Sequence, residues 1–100
     1  MRLGILVTTD MHLDAVVGLT KEALATGHEV TIFSMDVGSN LLAEQSYTGL
    51  SQREGVRMSY CEYNAKTMGI ATGGLPAEIT GGSQYDNASM NHEADKVVVL

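Results

Sequence analysis

One hundred residues suffice for one hydrophobic core and leave no length for a second, so a single domain over 1–100 is expected. Val, Ile, Leu and Phe supply 24 of them, above the roughly 20% below which chains stay disordered. Only 18% are charged against about 25% in an average soluble domain, which points to surface covered by self-association. A net charge of -6 with six scattered Lys and Arg forms no basic patch and argues against nucleic acid and anionic membranes as partners.

The apolar run Leu3 to Val7, bounded by Thr8-Thr9-Asp10, suits a strand buried on both faces of a parallel sheet. Leu13, Val16, Val17, Ala23 and Leu24 then recur at helical spacing up to Gly27, which stands where a left-handed cap belongs. A second strand follows over His28 to Phe33, and strand, helix and strand make a right-handed βαβ unit. Asp36-Val37-Gly38-Ser39-Asn40 is turn chemistry, and Asn40 is expected to cap a helix through Leu41, Leu42 and Gln45 that Gly49 weakens.

Val56 to Cys61 alternates as a third strand ending on the cysteine, and Glu62 to Met68 reads as a short helix stopped by Gly69. The glycine-rich connection from Ile70 to Gly82 carries the single proline, Pro76, with a brief fourth strand expected over Glu78 to Thr80. Ser83 is placed to cap a helix from Gln84 to about Ala94, and Lys96 to Leu100 forms a last buried strand. No apolar run approaches the roughly 20 residues of a bilayer span. Met1-Arg2-Leu3-Gly4 lacks the apolar core of a secretory signal, so a cytoplasmic location is expected.

Strands alternating with helices predict a three-layer α/β/α sandwich with a mostly parallel sheet of four to five strands. Ligands of such sheets lie outside the carboxyl ends of the strands. That rule gathers Asp10, His12, Asp36, Cys61 and the turn Gly81-Gly82-Ser83 at one pole, and sends His28 and His92 towards the other.

Cys61 is the only cysteine, so an internal disulfide and a cysteine-rich metal centre are both excluded, and no metal or organic cofactor is expected. At a strand-to-helix junction, free N–H groups would favour a thiolate, with Glu62 opposing it; a small buried hydrophobe is the alternative. His12 or Asp10 is a base that would reach across from a neighbouring loop, though a solvated imidazole explains His12 equally. No arginine follows Cys61 at the spacing of a phosphatase loop. No second cysteine supports dithiol redox chemistry. Thr8-Thr9-Asp10 puts an acid where a flavin phosphate would sit. Gly81-Gly82-Ser83 would serve as an anion nest or simply as a tight turn.

A lone thiol able to take and pass on one sulfur atom fits a known pattern. The opening strand ending Val7-Thr8-Thr9, the stretch Ala25-Thr26-Gly27-His28-Glu29, the segment Gly55 to Cys61 and the closing Ala94 to Leu100 together resemble the DsrE/DsrF/DsrH sulfur-relay family, which includes the TusD-type proteins. The most specific part is the strand-ending cysteine followed by a short helix and glycine, Cys61 to Gly69. The resemblance implies a cytoplasmic sulfurtransferase that carries sulfane sulfur as a persulfide on Cys61, between donor and acceptor proteins. It also implies a homotrimer or homohexamer; Tyr63, Met68 and the 70–82 connection, which stand nearest the cysteine pole, are the interface candidates, with a plain surface loop as the alternative for each. A non-catalytic subunit or small-ligand binding module of the same fold is the rival reading.

Overall fold

The computed structural model describes residues 1–100. Five strands, β1 (Arg2–Val7), β2 (Glu29–Ser34), β3 (Val56–Cys61), β4 (Ile79–Gly82) and β5 (Lys96–Val99), pair in the order β4-β3-β2-β1-β5, and every pairing is parallel. Four α-helices join them: α1 (Leu13–Ala25), α2 (Gln45–Thr48), α3 (Glu62–Thr67) and α4 (Gln84–Glu93). No helix is long and apolar enough to cross a membrane.

The register explains why the central strands read as continuous apolar runs. Val98, Ile5, Ile32, Met58 and Ile79 stand side by side across all five strands. Residues alternate across a strand, so this row faces one side only. On that side it joins Val16 and Ala23 of α1, and Leu41, Leu42, Tyr47 and Leu50, in the main core. The other face has a single cover, α4, whose Met90 packs with Phe33 and Cys61 in a second, smaller cluster. Gly4 admits that helix: a Cβ there would lie 3.1 Å from Met90 and 3.2 Å from Ala94.

Two helices stop as their glycines predict. Gly27, at φ 85°, donates its N–H to the Leu24 carbonyl while His28 donates to Ala23. Gly69, at φ 69°, donates to Lys66 while Ile70 donates to Ala65. In both, a left-handed residue lets two otherwise free carbonyls be satisfied. Ser83 caps α4 as expected: its Oγ accepts the Tyr85 N–H at 3.2 Å, and Asp86 Oδ2 accepts the Ser83 N–H at 2.9 Å.

The stretch after β2 departs from expectation. Asp36–Ala43 is a 3-10 helix, followed by the single turn of α2 and a second 3-10 turn, Gly49–Gln52. Asn40 caps nothing; its amide donates to Asp10 Oδ2 at 2.9 Å. The cause is close packing: at Gly38 a Cβ would run into the Val7 carbonyl, so the chain must press against the end of β1 while burying Leu41, Leu42, Tyr47 and Leu50. The tighter 3-10 winding of Asp36–Ala43 accommodates both. The remaining differences are boundaries: β4 runs Ile79–Gly82, rather than Glu78 to Thr80, and β5 ends at Val99.

Four hydroxyls on the main-core side, those of Thr20, Ser34, Ser39 and Tyr47, are buried without a hydrogen-bond partner. Burial pushes the Tyr47 phenol from 10.0 up to about 12. The nearby Ser34 hydroxyl offsets part of this shift, although the pair does not reach the geometry of a formed hydrogen bond.

Candidate functional site

Three neighbouring strands, β2, β3 and β4, end on one open groove of about 750 Å³. β2 runs into Met35 and Asp36, β3 supplies Cys61 and passes directly into α3 with Glu62, Tyr63 and Asn64, and β4 contributes Gly82 before Ser83, Gln84 and Tyr85 open α4. Cys61 has β-region dihedrals (φ -76°, ψ 110°) and is the N-cap residue of α3. Its side chain falls on the α4 face, 5% exposed, against Phe33 and Met90. The thiol therefore lies at the floor of the groove, and the rim is aromatic: Tyr63 is 74% and Tyr85 78% exposed.

The walls are tied across elements. The Asp36 N–H donates to Asn64 Oδ1 at 3.0 Å, linking the end of β2 to α3. Gln84 Nε2 donates to Met35 Sδ at 3.7 Å, linking α4 to the same corner. Asp36 itself sits at φ 50°, a left-handed conformation that Asp tolerates better than most residues. Glu62 folds over the edge strand, its carboxylate occupying the space a Gly81 side chain would fill, and Asp86 does the same at Gly82. Both glycines thus make room for carboxylates of the chain itself, and the Ser83 N–H is already engaged by Asp86.

The sequence-derived site residues divide into two groups. Cys61, Asp36, Gly82 and Ser83 line the groove, and Gly81 lies beneath Glu62 at its edge. Asp10 and His12 line a separate hollow with Met11, Leu13 and Asp14. They leave from the end of β1, and because β2 stands between β1 and β3 about two strand spacings of 4.8 Å each part the end of β1 from that of β3. His28 lies at the opposite pole, its Nδ1 2.9 Å from the N-terminal amine. No three His, Cys, Asp or Glu side chains gather at metal-binding distance.

Sequence reasoning missed Met35, Asn64, Gln84 and Tyr85 as groove residues, because they meet only once the order of β2, β3 and β4 is known. The topological switch point lies elsewhere, between β1 and β5. There the crevice is closed by backbone, the Thr8 and Thr9 N–H groups both donating to the Leu100 carbonyl. Behind α3 a second groove of about 800 Å³ carries Tyr60, Lys66 and Ile70 and shares Glu62 and Tyr63 with the first. A smaller hollow of about 250 Å³ at the amino pole mixes Arg2 and Arg57 with Glu29 and Glu93.

The architecture and the groove define an all-parallel α/β domain with one thiol at the carboxyl pole. No protein-family model and no curated protein matches the sequence. Among solved structures, the protein of unknown function MTH1491 from Methanobacterium thermoautotrophicum has a TM-score of 0.79 at 14% identity, covering 99% of this chain and 98% of that one. The ychN protein from E. coli has a TM-score of 0.76 at 16% identity, covering 100% of both chains. The chain shares the fold of these two proteins.

Proposed function

We propose that the chain is a sulfur carrier in which Cys61 takes sulfane sulfur from a donor persulfide and yields it to an acceptor thiol. In the first step the Cys61 thiolate attacks the outer sulfur of the donor R–S–SH. A new S–S bond forms, the donor S–S bond breaks, and the electron pair leaves on the donor thiolate. In the second step an acceptor thiolate attacks the outer sulfur of the Cys61 persulfide in the same way and regenerates the Cys61 thiolate. Oxidation level is conserved throughout, and no cofactor takes part.

The observation that carries this reading is the position of the single cysteine at the end of β3, on the floor of a groove open to solvent. The shared fold and the resemblance of the Cys61 to Gly69 segment to the sulfur-relay family support it. A lone free thiol also suits a reducing, cytoplasmic compartment, and the relay reading implies donor and acceptor proteins and a homotrimer or homohexamer. The rival reading, a binding module in which Cys61 is only a core residue, draws on its 5% exposure and its packing with Phe33 and Met90. Intact-mass measurement after incubation with a sulfane-sulfur donor separates the two. The wild type is expected to gain whole sulfur atoms, lost again on reduction, while C61S gains none; an unmodified wild-type mass would support the binding module.

A further inference from the structure

The helix over the cysteine face of the sheet is held there by little. α4 spans ten residues, Gln84–Glu93, of which Met90 alone is buried, whereas α1 buries Val16, Thr20 and Ala23. Asp86, Asn87, Ser89, Asn91 and His92 of α4 are all weak helix formers, and an isolated helix of this length is unstable in water. Its polar bonds are mostly internal: the Ser83–Asp86 cap closes within the first turn, and the Asn91 amide donates to Asn87. Towards the sheet it adds only Gln84 Nε2 on Met35 Sδ at 3.7 Å, and a thioether is a weak acceptor. The flank beyond it is firmer, because Asp95 is tied to Arg2 through both its N–H, at 2.8 Å, and its carboxylate, at 2.7 Å. Of the buried cluster Phe33, Cys61 and Met90, two members belong to strands paired on both sides, so Met90 is the one that can leave.

We propose that α4 is a releasable cover: Met90 lifts from its seat over Gly4, the helix unravels locally, and Cys61 then meets a partner's sulfur. The proposal rests on the sulfur-carrier reading and adds how that site is regulated. Thiol exchange requires access to the attacking sulfur, and a residue 5% exposed offers little to a bulky donor. Once Met90 is free, nothing keeps so short a helix intact, so undocking and unravelling are one event. Local openings of this kind lie well below global unfolding in free energy.

The test follows alkylation of native Cys61 by iodoacetamide, in which the thiolate forms an S–C bond and expels iodide, so that no sulfur carrying is required. Rates are read by intact mass at urea concentrations below the global transition. The logarithm of the rate should rise with urea at no more than about a fifth of the global slope, since that slope scales with the surface exposed and α4 is ten residues of 100. Ala88→Gly, at an exposed position of α4, weakens the helix without touching the thiol and should speed alkylation about fivefold. Met90→Ala should speed it at least about thirtyfold. Gly18→Ala strengthens α1, on the other face of the sheet, and should leave the rate unchanged.

Should a variant fail to fold, amide exchange in the wild type asks the same question: α4 amides should exchange faster than those of Val16 to Ala23. Loading from glutathione persulfide should also quicken about fivefold in Ala88→Gly. A urea slope near the global one, slower alkylation in Gly18→Ala, or equal protection of the two helices would each overturn the proposal. So would an alkylation rate or a loading rate unchanged by Ala88→Gly, even if Met90→Ala raised it, because entry would then be direct. Failure of sulfur loading with the opening behaviour intact would instead remove the carrier reading.

Discussion

Raising the pH should unfold the protein through Tyr47 in particular, and Tyr47→Phe should remove that sensitivity. The phenol titrates at about 12 in the folded chain against 10.0 when unburied. Below pH 10 both states hold the proton, and the full stability is present. Between about 10 and 12 the unfolded chain releases a proton that the folded chain retains, so stability falls as pH rises. Two pKa units at 1.36 kcal/mol each give a loss approaching about 2.7 kcal/mol. At neutral pH the substitution should be neutral to mildly stabilising, by up to about 1 kcal/mol, because the hydroxyl it removes is buried without a partner and both states then lose little. Urea midpoints measured at intervals from neutral pH to about 11.5 for wild type and Y47F provide the assay. Subtracting the two series cancels Cys61, the lysines and the other tyrosines. Parallel curves would refute the reasoning, since they would mean that the phenol ionises as easily in the folded state as in the unfolded one.

Other substitutions test the packing that shapes the groove. Gly38→Ala should cost more than about 2 kcal/mol in urea unfolding, because the new methyl meets the Val7 carbonyl and backbone cannot move aside cheaply. Gly18→Ala on α1, where nothing lies within 4 Å, should stabilise by about 0.5–1 kcal/mol. Ser83→Ala removes the Oγ that accepts the Tyr85 N–H and should cost about 1 kcal/mol, read in the same assay. The proposed assembly is checked by light scattering: a trimer or hexamer is expected, and a clean monomer at micromolar concentration would remove it.

Much of the fold was legible because a few residues carry unambiguous signals. Leu3 to Val7 reads as a strand buried on both faces because α1 covers one side of the sheet at β1 and α4 the other. Gly27 and Gly69 mark helix ends because a left-handed residue was needed there. Ser83, with Asp86 three residues on, is a capping box in sequence and in space. Illegibility began where a long-range approach overrides local preference. Leu41, Leu42, Tyr47 and Leu50 have a spacing compatible with one helix, yet after the close approach of Gly38 to Val7 the stretch is divided into two 3-10 segments with the single α-turn of α2 between them. The site followed the same division. Cys61 and the carboxyl pole were readable from strand ends, but nothing local says that β2 lies between β1 and β3. His12 and Asp10 were therefore grouped with the thiol, while Gln84 and Tyr85 were not.

A thiol that carries sulfur faces two opposed demands, protection from solvent oxidants and access for a partner thiol. The end of β3 offers a physical route to both. Strand alternation turns Cys61 away from the main core and onto the α4 face, where Phe33 and Met90 cover it and leave 5% of the residue in contact with solvent. A persulfide places its reactive sulfur one bond further out, so in the proposed exchange the transferred atom projects towards the groove while the sulfur bonded to Cβ stays among apolar neighbours. Its neighbour across the strand pair is Gly82, which brings no Cβ of its own, and that space is held by the Asp86 carboxylate. The same carboxylate ties the first turn of α4 through the Ser83 N–H, so the cap of the helix and the filling of the space beside the cysteine depend on one side chain. Asp86→Asn isolates the part played by charge, since an amide oxygen can still accept the Ser83 N–H and fill the same space. The substitution should weaken the helix cap only in part, by up to about 1 kcal/mol in urea unfolding, and a loss as large as that of Ser83→Ala plus a charge effect would show that the carboxylate does more than close the first turn.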